Sequence, residues 1–391
     1  MADQVTAKSI LEILLSRGEV ARERSRDVTL PASLIKGYPF RNADQLAAFH
    51  EGLRLAERQG AISLEWQRYY EGSQLVRIRL RDAPSLARFL GRAYLPDRLN
   101  DVFEGIDSEG LQPWVISLLE DIRGRWLSGK SSHGLKVEDA DKLLGLVNAI
   151  RALEDCSREE PLDYRQFGAR YLGDSKLTRI LAAPLAAIYR SRLGLKDFEV
   201  TEILAQLNLV PLAQPVLLRG PIVLSDGRQR LNAGIRPHVG APVQLLHEFE
   251  LSHSPEYVLT IENQSSFNEY TAAIQDQGVI VYTAGFPTRA LQGFYRRLVS
   301  VVNVPLYHWG DSDVGGFRIL KCLQQAAQGR EVQPHLMEGE GGTPYSKTQL
   351  SGLERMLPIN SAVDALLNRL IARGAGAVEQ ENTVARRVPI D

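Results

Sequence analysis

The sequence predicts a multidomain α/β protein: a mostly helical N-terminal region, a middle region that suits a winged-helix module and a C-terminal region built on a Rossmann-like parallel sheet. Three observations predict it. The 391 residues amount to about two to three domains. From about residue 243 onward, short apolar runs alternate with helical patterns, the signature of parallel strands joined by crossovers. Ahead of them, Pro211, Pro215 and Pro221 and an Asp-Gly turn at Asp226-Gly227 punctuate a stretch of short helices and strands. The expected domains are 1–155, 156–242 and 243–391.

Hydrophobic residues make up 44% of the chain and charged residues 24%, with no run of 18 apolar residues, which excludes a spanning helix and a mainly disordered chain. Only Cys156 and Cys322 are present, and the N-terminal residues lack the pattern of a secretory signal; a reducing, cytoplasmic setting without membrane contact is expected. Charge is balanced, 46 basic against 47 acidic residues, so nothing draws the whole molecule to nucleic acid. Locally the balance fails. Residues 51–100 hold nine arginines, no lysine and six acids, whereas residues 101–150 hold five basic and nine acidic residues.

In the first region Leu46, Phe49, Leu53 and Ala56 have helical spacing. Leu75–Arg81 alternates with period two instead, which puts Val76, Ile78 and Leu80 on one face and Arg77, Arg79 and Arg81 on the other. Guanidinium groups about 7 Å apart can follow a phosphate backbone, or form an ordinary solvated face. In the middle region, 222–225 and 228–231 read as a hairpin about the Asp-Gly turn, the wing of a winged helix.

In the third region the strands are 256–262, 278–282, 305–309 and 332–337. The intervening helices are expected to start with a Ser266/Glu269 capping box, at Pro287 and near Phe317. Ligands of open parallel sheets bind beyond the strands' carboxyl ends, where Glu262, Asp311 and Asp313 fall. Three carboxylates at one edge repel unless a cation lies between them, and oxygen-only ligands select Mg²⁺ or Mn²⁺. Gly315 and Gly316 admit a phosphate to the next helix start. Helix capping by the Asp-Ser-Asp run is the structural alternative, but it leaves Glu262 unexplained.

Ile261-Glu262-Asn263 with Ser266-Phe267, and Tyr307-His308-Trp309-Gly310-Asp311-Ser312-Asp313-Val314-Gly315-Gly316-Phe317, resemble the Toprim motifs of topoisomerases, primases and related nucleases. The aromatic pair before Gly-Asp-x-Asp is similar to the JetD family, nuclease subunits of Wadjet plasmid defence. Tyr164–Phe167 through Gly173–Lys176 is similar to that family's winged-helix segment, and Glu379-Gln380-Glu381 to its C-terminal Glu-Gln-Glu, so the resemblance spans about residues 160–391. It implies an arm-like N-terminal domain, a CAP-like winged-helix middle domain and a Toprim C-terminal domain, in a dimeric, metal-dependent endonuclease that resembles the topoisomerase VI A subunit and cuts double-stranded plasmid DNA with a condensin-like SMC complex. By motif, Glu262, Asp311 and Asp313 are the implied metal ligands and catalytic acids, and Glu338 a further acidic participant; Glu379 and Glu381 match without an assignable role. Lys176 and Arg179, with Arg77, Arg79 and Arg81, are the expected DNA contacts. Tyr164 and Tyr171 lack the paired-tyrosine context of the topoisomerase nucleophile, which favours hydrolysis by metal-activated water.

Two other function classes compete. An inert Toprim-like DNA-binding scaffold needs no metal, but its unneutralised acids would repel DNA. Gly124–Ser131 fits the P-loop pattern of a nucleotide-binding protein, yet it follows an expected helix rather than a buried strand. His247-Glu248 with His253 has the wrong spacing for a zinc protease. His308 reads as a packed strand-end histidine before a general base.

Overall fold

The computed structural model describes residues 5–21, 27–154 and 160–389. Cys156 and the expected boundary at 155/156 lie outside the described residues. The chain divides into two compact units, Met1–Asn148 and Ala149–Asp391.

The first unit is helical with a small antiparallel sheet, a component that the reading of one basic strand among helices does not contain. Helix Ala43–Arg58 is capped by Asn42, which accepts from the Gln45 amide at 3.0 Å, and it buries Phe49, Leu53 and Ala56 as their spacing requires. The sheet runs in the order Thr29–Pro31, Leu75–Leu80, Ile62–Trp66, so the basic strand is central. Its alternation is broken. Glu65 lies opposite Arg77 but Trp66 lies opposite Leu75, leaving Val76 as the extra residue of a bulge. Leu75 and Ile78 are buried and Val76 is 40% exposed, contrary to the expected Val76 face. Arg79 pairs with Asp27, the Arg77 Nε lies 3.9 Å from Glu65, and the Arg81 Nε donates to Ser63 Oγ at 3.0 Å.

The P-loop pattern begins in the last turn of helix Pro113–Leu127 and passes into a turn at Gly129, whose φ of +70° favours glycine. No strand feeds it, and the Arg125 Nε donates to the Ser131 carbonyl at 2.9 Å.

The second unit is organised on a six-stranded mixed sheet in the order Val332–Pro334, Leu306–Trp309, Val258–Ile261, Val279–Tyr282, Val216–Arg219, Val239–Ala241. The first four strands of that order are mutually parallel, and the last two join antiparallel. The sheet thus recruits strands from both sides of residue 242. Its apolar runs are buried on both faces, as parallel strands require. One face packs against helices Arg289–Val301 and Val314–Ala326. The other carries Leu259, Ile261, Tyr307 and Trp309 against helices Gln264–Ala273, Lys347–Met356 and Ser361–Arg373. The Asp-Gly hairpin forms, Ile222–Ser225 with Arg230–Asn232, and Phe249–Leu251 pairs with its other edge.

Several helix starts differ from expectation. Asn263, not Ser266, caps Gln264–Ala273, because the Asn263 side chain reaches the Ser265 amide while Ser266 is buried inside the helix. Thr288 caps Arg289–Val301 two residues beyond the expected start, and the last parallel strand ends at Pro334 rather than at residue 337.

A buried ion pair fastens the antiparallel strand to the helix that follows Glu262. Arg219 donates to the Thr271 and Ile274 carbonyls at 2.9 and 2.7 Å and to Asp276 at 2.6 Å; the two side chains are 3% and 0% exposed. Asp276 also accepts from the Tyr257 hydroxyl. Asp276→Ala strands a buried guanidinium, and we expect it to lower unfolding stability by about 3–5 kcal/mol, read as a lower midpoint in urea.

Candidate metal centre

Strand Val258–Ile261 has the next strand in sequence on one side and Leu306–Trp309 on the other. The chain therefore leaves these two neighbours in opposite directions, and a crevice opens beyond their carboxyl ends. Glu262 and Asp311 stand there. The Glu262 amide extends the pairing by donating to the Trp309 carbonyl at 3.0 Å, and the Glu262 carboxylate accepts from the Asp311 amide at 3.2 Å.

The C-terminal segment completes the rim. Gln380, 1% exposed, donates its side-chain amide to the Trp309 carbonyl at 3.0 Å and accepts from the Asn263 amide at 2.8 Å, bridging both strand ends. Its backbone amide donates to Asp311 Oδ1 at 2.7 Å, and Asn263 Nδ2 donates to Glu381 Oε1 at 2.5 Å. As a result Asp311, Glu379 and Glu381 each present a carboxylate oxygen within 4.8 Å of the others. With Glu262 beside Asp311, this is an all-oxygen donor set that fits a hard divalent cation.

The electrostatics are those of crowded acids. Burial first, then the charges of Asp311 and Asp313, push Glu262 up to about 8. Burial and the neighbouring Asp313, Glu379 and Glu381 push Asp311 up to about 6, against the opposing hydrogen bond from Gln380.

The remaining residues singled out from the sequence separate. Asp313 caps helix Val314–Ala326, accepting from the Gly316 amide at 2.9 Å. Gly316 is required there, because a Cβ would meet the Asp311 carbonyl oxygen at 2.1 Å. Glu338 is exposed and is not one of the three carboxylates gathered around Asp311. Lys176 and Arg179 are exposed at the start of helix Leu177–Leu193. The Tyr164 hydroxyl is buried without a partner among the described residues, and Tyr171 packs its ring 5.1 Å from Phe167. His253 bonds Gln277 at 2.9 Å. The convergence of Glu379 and Glu381 on Asp311 was not readable from spacing; the signal was the resemblance of Glu379-Gln380-Glu381 to a family motif, which carried no role.

Fold and rim together define a mixed α/β protein with a carboxylate-lined crevice at the switch point of a parallel sheet. Residues 226–387, which include every acid of the rim, match the family described as Wadjet protein JetD, C-terminal. The chain is 22% identical over 291 residues to Wadjet protein JetD of Bacillus cereus (strain Q1), covering 72% of this chain and 70% of that relative. No helix among the described residues is long and apolar enough to cross a membrane.

Because Glu262 and Asp311 titrate above their ordinary range in the folded protein, their protonated forms favour folding, and that stability is lost as pH rises through about 6 and about 8. Metal-free protein is therefore expected to melt lower at pH 9 than at pH 5.5. Glu262→Gln should flatten the upper part of that dependence in a thermal-melt series.

Proposed function

We propose that this protein is a divalent-metal-dependent DNA endonuclease, the nuclease subunit of a Wadjet-type plasmid-defence system. The observation that carries this reading is the gathering of Asp311, Glu379 and Glu381 beside Glu262 at the sheet's switch point. Carboxylates this close together, with Glu262 and Asp311 pushed toward protonation by burial and neighbouring charge, suit a bound cation that offsets their repulsion. In this reading the C-terminal sheet is a Toprim domain, and Glu262, Asp311, Glu379 and Glu381 hold Mg²⁺ or Mn²⁺. Such a cation supplies, when bound, an acidified water and compensation for charge on the phosphate oxygens.

The chain's own groups provide position. Gln380 and Asn263 fix the acids through the bonds described above. Helices Leu177–Leu193 and Val200–Ala205 with the 222–232 hairpin serve as the winged-helix module, and exposed Lys176 and Arg179 contact the DNA backbone. Arg77, Arg79 and Arg81 contribute less, because Glu65, Asp27 and Ser63 already engage them. A symmetric dimer would bring two such sites to the two strands of a duplex. The JetD relationship extends the proposal to a condensin-like partner complex that delivers plasmid DNA.

Purified protein should nick and linearise supercoiled plasmid in Mg²⁺ or Mn²⁺. Glu262→Ala and Asp311→Ala should each lower cleavage by at least about 100-fold while the protein stays folded; wild-type cutting by either variant refutes the assignment. Tyr164→Phe and Tyr171→Phe should cleave at rates near wild type, and recovery of protein-linked DNA ends would establish covalent chemistry instead of hydrolysis.

A further inference from the structure

His308 lies on the strand before Asp311, directly opposite Thr260 on the strand before Glu262. Its side chain is 0% exposed. The Thr260 hydroxyl donates to the Tyr307 carbonyl at 3.2 Å, which uses its single proton, so its oxygen accepts from His308 Nδ1 at 2.9 Å. In that pairing the proton sits on Nδ1 and the lone pair on Nε2. Burial holds the ring neutral, far below the usual histidine range at about 3.

Nε2 has no hydrogen-bond partner among the described residues, although an unsatisfied buried acceptor is costly. Gly310 shows where it points. A Cβ on Gly310 would lie 2.8 Å from His308 Nε2 and 2.7 Å from Glu262 Oε2, with the Gly316 Cα at 3.6 Å. The imidazole lone pair and the Glu262 carboxylate face one small volume that any larger residue at 310 would fill. Once a bound cation keeps Glu262 ionised, two acceptors share this space and need a donor of two protons between them, and water is the smallest that serves.

We infer that His308 is a positioning residue for Glu262: its Nε2 accepts a hydrogen bond from a water that also donates to the Glu262 carboxylate, and Thr260 sets the tautomer that makes this possible. The inference rests on the metal-site reading of Glu262. A histidine present only to fill space makes no demand on which nitrogen carries the proton; a positioning histidine does.

The test uses the full chain with Mn²⁺ as probe. His308→Phe removes the buried acceptor without removing bulk, so it should melt at or above the wild-type temperature while its Mn²⁺ dissociation constant, from calorimetry at pH 7.5, rises about tenfold. His308→Gln, which restores an acceptor, should stay within about threefold of wild type. Wild-type Mn²⁺ affinity in His308→Phe overturns the inference. Glu262→Gln measured alongside separates the two levels: if it also binds Mn²⁺ normally, the metal-site reading itself fails. Should His308→Phe not fold, ¹⁵N-histidine spectra of the wild-type protein at pH 7 decide the matter. A bare Nε2 whose resonance shifts on Mg²⁺ addition supports the inference, and a protonated or unresponsive Nε2 overturns it.

Discussion

At the end of the parallel sheet Glu262 and Asp311 lose hydration while neighbouring carboxylates repel them, and the second unit is arranged around tolerating that. Moving Glu262 from an ordinary 4.5 to about 8 corresponds to something on the order of 5 kcal/mol set against its ionised form. That figure is net of the hydrogen bond from the Asp311 amide to Glu262; the Gln380 amide donates likewise to Asp311, and Asn263 donates to Glu381. These bonds do not remove the like-charge field. A fold that carries such an arrangement holds it in one of two ways, protonated or neutralised, and only the second is compatible with ionised ligands near neutral pH.

The C-terminal segment is structurally inseparable from this rim. Gln380 spans the ends of two adjacent strands, and the Ser312 amide donates to the Val378 carbonyl at 2.9 Å. Further along, the Tyr307 hydroxyl donates to the Pro389 carbonyl at 2.8 Å, and the Ala385 amide to Glu269 at 3.1 Å. These bonds lay the last residues along the face that carries Tyr307 and Trp309. Two of the gathered acids thus reach the site only when the tail is docked, so order at the terminus and completeness of the rim are one property.

Much of the sheet could be read from the chain, because buried parallel strands are short, apolar and regularly spaced between amphipathic helices. Glu262 and Asp311 were legible for the same reason: strand ends follow from strand positions. Glu379 and Glu381 were not, since nothing local relates residue 311 to residues nearly seventy positions later; a buried glutamine amide makes that link. The basic strand misled through its period. Alternation predicted Val76 inside, and a single bulge opposite Glu65 and Trp66 turned it out. Cap positions slipped by two or three residues because Asn263 and Thr288 supply side-chain acceptors as good as those of the expected residues.

Asp313 illustrates why structural and chemical readings of one residue need not exclude each other. Its Oδ1 is committed to the Gly316 amide, as a capping role requires, and that bond holds the tight turn in which Gly316 presses against the Asp311 backbone. Yet its charge reaches both Glu262 and Asp311 and contributes to their upward shifts. The cap therefore acts on the rim twice, by fixing where Asp311 stands and by strengthening the field that a cation would offset. Removing the carboxylate would relieve repulsion and loosen the turn together, with opposite effects on the acids that remain. The contribution of Asp313 is thus a matter of geometry and field, and it does not require its carboxylate to touch an ion.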